Sequence, residues 1–267
     1  VSQHCHNVSP RLLLFLIQNQ RYGVEYQPIV AVDNLAIFGY EALSRFYDHS
    51  DQLIAPDLVY SALHHHPLSL FEVELAQKKL QLEHAPAGAK LFVNLDQDSF
   101  FAVENSEISD LGDAAVNPFL ELFLQHKNND LVVELIENSE VNDAIMSMKM
   151  IQLMASNNIK TALDDIFNQQ SMISTSVLQE VNFMKFDRFV VLNKQDPEFL
   201  LLIKMMVNYA HAAGKKIILE GIETQADLDF AKSINVDYVQ GFLFKPQFLR
   251  ASLSQCQKVS RVAQILG

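Results

Sequence analysis

Thr161-Ala162-Leu163-Asp164-Asp165 (TALDD) is a short, mostly apolar run that ends in two adjacent carboxylates. An apolar run without alternation reads as a strand buried on both faces, as in a parallel sheet covered by helices. The same design recurs on either side of it. Residues 90–94 (KLFVN), 131–134 (LVVE), 183–187 (FMKFD), 216–220 (KIILE) and 237–240 (DYVQ) are all strand-like. A strand-like pair, 24–30 and 36–42, stands earlier in the chain. Between the runs, residues 69–84, 142–157, 197–213 and 224–233 carry apolar side chains at helical spacing. Repeated βα units of this size predict an α/β fold, a (β/α)₈ TIM-like barrel, with an open doubly wound sheet as the competing architecture.

The ends of the runs carry the functional argument. Asn94, Glu134, Asp164, Asp165, Lys185, Asp187, Glu220 and Gln240 close them, and each can bind a metal or handle a proton. In a barrel these ends converge on one rim, where active sites are built. An acid at such a place can also do no more than cap the next helix. For one position the two readings are balanced, whereas the set as a whole favours a shared polar site.

The 267 residues are 49% apolar with a formal net charge of −12, enough for one large core and unlike a disordered chain. The acidic balance argues against duplex nucleic acid as a partner. It leaves room for a small anion, because metal ions invert the field of an acidic site. Two cysteines, Cys5 and Cys256, stand near opposite ends of the chain. A disulfide framework is not expected, and a reducing cytoplasm fits. The apolar run 12–17 is too short to span a bilayer and lacks a signal-peptide cleavage site. The chain opens at Val1 rather than Met, which leaves open a longer protein with upstream sensory domains.

Glu41, Asn94, Glu134, Asp164 and Asp165 offer oxygen ligands only, and no Cys or His closes a run. Hard oxygen donors suit Mg²⁺ or Mn²⁺ rather than a thiolate or imidazole zinc site. The pair Asp164-Asp165 is the most telling element, since one carboxylate can bridge two ions while its neighbour binds the second. Lys185 would place a fixed positive charge beside an anionic transition state or anchor an attacking water, and Glu220 could take a proton. A salt bridge of Lys185 with Asp187 or Glu220 is an equally good reading of that lysine alone.

These residues fall into motifs. Tyr26-Gln27-Pro28-Ile29-Val30 (YQPIV) and Gly39-Tyr40-Glu41-Ala42-Leu43-Ser44-Arg45-Phe46 (GYEALSRF) resemble the opening of EAL cyclic di-GMP phosphodiesterases. The similarity continues through VNL at 93–95, VELIE at 133–137, ALDD at 162–165, MKFD at 184–187, LEGIET at 219–224 and QGFLF at 240–244. A lone Glu-Ala-Leu would mean nothing, but these motifs keep family order over about residues 20–250. The resemblance implies a modified (β/α)₈ barrel with one strand antiparallel to the rest, preceded by a helical lead-in over 1–20, the barrel domain occupying 21–267. It implies hydrolysis of cyclic di-GMP to linear pGpG with two Mg²⁺ or Mn²⁺ ions. By position, Glu41, Asn94, Glu134, Asp164 and Asp165 would be metal ligands, and Lys185 and Glu220 would handle the water with Gln240 beside them. Glu137, Asp187 and Glu223 would be supporting acids, and Gln27, Leu43 and Arg45 would touch the ligand. Ca²⁺, larger and looser in geometry, is expected to suppress turnover. A homodimer or a protein partner is a further possibility.

One segment departs from the pattern. Where active members read Phe-Gly-Thr-Gly after the paired aspartates, this chain reads Ile166-Phe167-Asn168-Gln169. Phe167 and Gln169 thus replace residues that take positive φ easily. The loop is expected to hold a different shape and to disturb Asp165 more than Asp164, with ligand binding kept and turnover slowed. Three functions are therefore weighed: an active phosphodiesterase, a cyclic di-GMP receptor signalling through a partner, and a Mg²⁺-dependent lyase with Lys185 as base. The complete ligand set favours the first, and motif order sets the third apart. His64-His65-His66 reads as a solvated helix end, His4-Cys5-His6 is assigned nothing, and Met146, Met148, Met150 and Met154 read as helix packing.

Overall fold

The computed structural model describes residues 8–105, 117–136, 141–170 and 172–251, with Leu253 and Cys256. Its barrel strands are β1 (Tyr22–Ala31), β2 (Ile37–Tyr47), β3 (Lys90–Asn94), β4 (Asp130–Ile136), β5 (Lys160–Ile166), β6 (Phe183–Phe186), β7 (Lys216–Leu219) and β8 (Tyr238–Val239). Neighbours in the chain are neighbours in the sheet, from β2 through to β8, and β1 pairs with both ends to close the ring. Closure excludes the open doubly wound sheet. The pairs from β2/β3 to β7/β8 are parallel, while β1 runs antiparallel to β2 and to β8.

The reversed strand has a local cause. Only residues 32–36 separate β1 from β2, and a connection that short has no room for a crossover helix, so the pair must be antiparallel. Leu35 takes φ +58 in this turn, and Asn34 Oδ1 accepts the Ala36 amide at 2.9 Å. The other strands are joined through helices, among them Pro67–Glu83, Val141–Ser156, Pro197–Ala212 and Gln225–Ser233. These lie within a residue or two of the periodic segments read from the sequence. Met150 and Met154 are buried in the core and Met146 and Met148 pack against it, which bears out the packing reading of that stretch.

The core has two layers. A large one lies between strands and helices and includes Leu13 and Leu16 of the leading helix Pro10–Gln18. A small one fills the barrel and consists of Ile29, Phe92, Val132, Ala162, Phe183 and Ile218, with Phe38 and Tyr238 packed on it. Phe38 and Tyr238 stack with ring centroids 3.8 Å apart. Side chains on a strand return to the same face every second residue. Two positions after Phe92, Val132, Ala162, Phe183, Ile218 and Tyr238 stand Asn94, Glu134, Asp164, Lys185, Glu220 and Gln240. The apolar plug and the polar rim are therefore successive inward layers of the same strands. Among the described residues no helix is long and apolar enough to cross a membrane.

Candidate active site

Lys185 stands at the centre of the rim layer and has no exposed surface. Its Nζ lies 2.9 Å from Glu134 Oε1, 2.9 Å from Glu220 Oε1, 3.1 Å from Asp164 Oδ1 and 3.4 Å from Glu41 Oε2. The expected salt bridge to Glu220 is thus one spoke of a larger cluster. Four carboxylates around one ammonium leave excess negative charge in a largely buried site. Burial, and then the repulsion of Glu41, pushes the Glu134 carboxyl far above the usual range. Burial likewise raises Asp164, and it raises Glu220 to about 8. Lys185 is held firmly charged, because the four acids outweigh the cost of its burial. Glu41 goes the other way: against its burial, Lys185 and the hydrogen bonds from Gln240 and Asn94 keep its carboxyl low.

Those two amides orient Glu41. Asn94 Nδ2 donates to Glu41 Oε1 at 2.8 Å, and Gln240 Nε2 donates to Oε2. The partnership spans 199 residues of sequence between Glu41 and Gln240. Gln240 is set by the close approach of two loops: a Cβ on the next residue, Gly241, would lie 2.1 Å from the Ile222 carbonyl oxygen, so the packing of the segment after Glu220 against Gln240 requires glycine there.

Asp165 breaks the period-two rule. Consecutive residues on a regular strand face opposite sides, yet Asp164 and Asp165 both reach the site. The β5/β6 register slips between Leu163 and Ile166, and Asp165 takes φ +57. A bulge of this kind re-aims a side chain. Ligand atoms of Asp164, Asp165 and Glu220 come within 4.8 Å of one another, as do those of Glu41, Glu134 and Asp164. Burial, then Asp164 and Asp187, raise Asp165 to about 6. Asp187 also caps the short helix after β6, its Oδ1 accepting the Phe189 amide at 2.8 Å.

Phe167 takes the left-handed conformation that its residue type made unexpected, at φ +72, whereas Gln169 is not in that region. Its ring meets Phe186 and Phe199 edge to face, with centroids 5.1 and 5.8 Å away. Aromatic packing thus holds a backbone shape that glycine would reach without strain.

Divalent ions fit this donor set. Glu134 Oε2 is buried with no hydrogen-bond partner among the described residues, and ligand atoms of Glu134, Glu41 and Asp164 lie within 4.8 Å of one another. The excess of carboxylates over ammonium is the arrangement that a cation would neutralise in place of protons.

Beside the cluster lies a cleft of about 290 Å³ lined by Gln27, Glu41, Leu43, Asp164, Glu220, Glu223 and Gln240, with Arg188 and Phe242. Of the expected ligand contacts, Gln27 and Leu43 line it, and Arg45 does not. Glu137 and the His4-Cys5-His6 segment lie outside the described residues. His64 is half exposed at a helix end, with Nε2 3.6 Å from Asp96 Oδ2. Sequence reading missed Arg188 and Phe242. Arg188 directly follows the MKFD run and Phe242 lies inside QGFLF, so position alone marked them, without a role.

The fold and this rim define a class. Residues 11–247 match the EAL domain family, and the chain belongs to that family. It is 22% identical over 249 residues to the cyclic di-GMP phosphodiesterase PdeL of Escherichia coli, covering 90% of this chain and 66% of PdeL. It is 23% identical over 234 residues to the bifunctional diguanylate cyclase/cyclic di-GMP phosphodiesterase MucR of Pseudomonas aeruginosa, covering 85% of this chain and 33% of MucR. The chain thus spans about a third of one relative and two thirds of the other. Among solved structures, it resembles the Bacillus subtilis YkuI protein in complex with substrate c-di-GMP and calcium, at a TM-score of 0.70 and 20% identity. That match covers 87% of this chain and 57% of YkuI.

Proposed function

We propose that this chain is a metal-dependent phosphodiesterase that hydrolyses cyclic di-GMP to linear pGpG and so lowers the second messenger in the bacterial cytoplasm. The observation that carries the reading is the buried Lys185 ammonium ringed by Glu41, Glu134, Asp164 and Glu220 at 2.9–3.4 Å. A ligand-only pocket has no use for so costly a cluster. Glu41, Asn94, Glu134, Asp164 and Asp165 would hold two Mg²⁺ or Mn²⁺ ions. Bound there, the ions would supply activation of water and neutralisation of the leaving oxygen, and Ca²⁺ would serve poorly. Lys185 offsets the mutual repulsion of the carboxylates and sets a fixed positive charge behind the wall of the cleft that would hold the scissile phosphate. Burial raises the Glu220 carboxyl to about 8 in the metal-free site, and a cation bound beside it would return it to the carboxylate form that accepts a proton from the water. Gln240 and Asn94 fix the rotamer of Glu41. Asp187 and Glu223 support the site, the first beside Asp165 and the second in the cleft wall. Glu137 keeps its expected supporting role by motif position alone. Gln27 and Leu43 would contact the ligand, and Arg45 would reach a phosphate.

A second reading is a weakly active or inactive cyclic di-GMP receptor that acts through a partner, a homodimer or an upstream sensory domain. It is favoured by the strained Phe167 two residues from Asp165. Incubation of purified protein with cyclic di-GMP and Mg²⁺ or Mn²⁺ separates the two. Formation of pGpG that stops in excess chelator supports the enzyme. Binding without pGpG supports the receptor, and absence of both overturns both readings.

A further inference from the structure

Arg45 lies on the same face of β2 as Glu41 and Leu43, which line the cleft, but its guanidinium is engaged elsewhere. Its Nη2 is 2.5 Å from Glu25 Oε1, and its Nη1 donates to the Ser44 carbonyl at 2.8 Å. Glu25 sits on β1 opposite Leu43, and its side chain is only 10% exposed. The other carboxylate oxygen, Oε2, accepts from Arg250 through both Nε, at 2.7 Å, and Nη2. Arg250 is carried there by the short strand Leu249–Ala251, which pairs with β1 so that Arg250 stands opposite Glu25. One buried carboxylate is thus shared by two arginines, one of which is the expected phosphate contact.

We propose that Glu25 and Arg250 are positioning residues that set affinity for the phosphodiester ligand through Arg45: Glu25 competes with phosphate for the guanidinium, and Arg250, by sharing the carboxylate, weakens that hold. The inference rests on the reading of Arg45 as a phosphate contact. Its physical basis is that carboxylate and phosphate dock on the same planar fork of N–H donors. A second guanidinium on Glu25 Oε2 draws off part of the charge that Arg45 feels. It also gives Glu25 a partner once Arg45 has turned to the ligand, so the carboxylate is not left buried and alone.

The test is calorimetric titration with cyclic di-GMP, with Ca²⁺ replacing Mg²⁺ to spare the ligand, on the parent, Glu25→Gln, Arg250→Gln and the double variant. The two arginines share one carboxylate and Arg250 is itself nearly half exposed, so changes of about three- to fivefold are expected. Glu25→Gln should tighten binding and Arg250→Gln should weaken it. In the Glu25→Gln background Arg250→Gln should have no further effect, a non-additivity that a merely structural role would not produce. With Mg²⁺ the changes should appear in KM and leave kcat unaltered. Unchanged or weaker binding in Glu25→Gln overturns the proposal, as does equal weakening by Arg250→Gln in both backgrounds. If thermal melts show Glu25→Gln to be misfolded, Arg250→Gln alone decides, with unchanged affinity counting against. A parent that binds but is indifferent to Arg45→Ala overturns the role of Arg45 and the proposal with it. A parent that does not bind cyclic di-GMP overturns the functional reading itself.

Discussion

Lys185 Nζ lies 2.9 Å from Glu134 Oε1, and neither side chain exposes any surface. Removing one member of a buried ion pair strands the other, at a cost of about 3–5 kcal/mol. Here the lysine answers four carboxylates. Lys185→Met is therefore expected to abolish turnover and, at pH 8 without metal, to lose stability of about that size. Mg²⁺ or Mn²⁺ should restore much of the loss by replacing the missing counter-charge. Urea unfolding with and without metal measures both effects, and a metal-free midpoint equal to the parent's would show that Lys185 is not the counter-charge.

The crowded acids also make a pH prediction for the metal-free protein. Asp165 is raised from 3.8 to about 6 and Glu220 from 4.5 to about 8. A carboxyl whose pKa is higher folded than unfolded binds more protons when folded. Its contribution is complete below the unfolded value and is lost as pH rises through the folded one. The melting temperature without metal should fall between about pH 5 and pH 8, by about 2–4 °C for each kcal/mol lost. Saturating Mg²⁺ should flatten the profile, and metal binding near pH 7 should release protons, seen as a buffer-dependent calorimetric heat. A metal-free melting temperature that climbs over this window would contradict the charge balance drawn for the site.

Glu41→Ala and Asp164→Ala are expected to abolish turnover while the fold survives. Both carboxylates lie in the rim layer above the apolar plug, so they serve the site more than the core. Asp164→Ala removes one of the clustered negative charges, so its metal-free melting temperature should equal or exceed the parent's. Circular dichroism melts beside a pGpG assay check this, and near-parental turnover in either variant would remove that residue from the ligand set.

Phe167→Gly is expected to destabilise the protein despite relieving its backbone. The left-handed conformation costs a non-glycine residue about 1–2 kcal/mol. Against that stand two edge-to-face aromatic contacts worth about 0.5–1.5 kcal/mol each, plus the apolar area of the ring. A net loss of about 1–2 kcal/mol should appear in urea unfolding, with no gain in turnover at low Mg²⁺. Faster turnover in the glycine variant would show instead that the loop limits the chemistry.

The barrel strand runs, the four longer helices near 67–83, 141–156, 197–212 and 225–233, and the rim residues were legible in the linear chain, whereas the shorter helices Pro56–Leu63 and Pro118–Gln125 and the strand Leu249–Ala251 were not. Burial on both faces writes an uninterrupted apolar run, and a barrel gathers the ends of such runs at one rim whatever the details of packing. Glu41, Asn94, Glu134, Asp164, Lys185, Glu220 and Gln240 could be named on that ground and on motif order. Three matters were settled only by the tertiary structure. Period-two alternation forbids Asp164 and Asp165 to share a face, and the β-bulge at φ +57 that brings both to the site follows from strand register. Phe167 keeps positive φ against its own preference because Phe186 and Phe199, from other segments, pack on its ring. Arg45 is held by Glu25, which is 20 residues away, and Glu25 by Arg250, 225 residues away. Charge pairing acts through space and local propensity acts along the chain, so the sequence could nominate Arg45 while only the folded barrel could say what holds it.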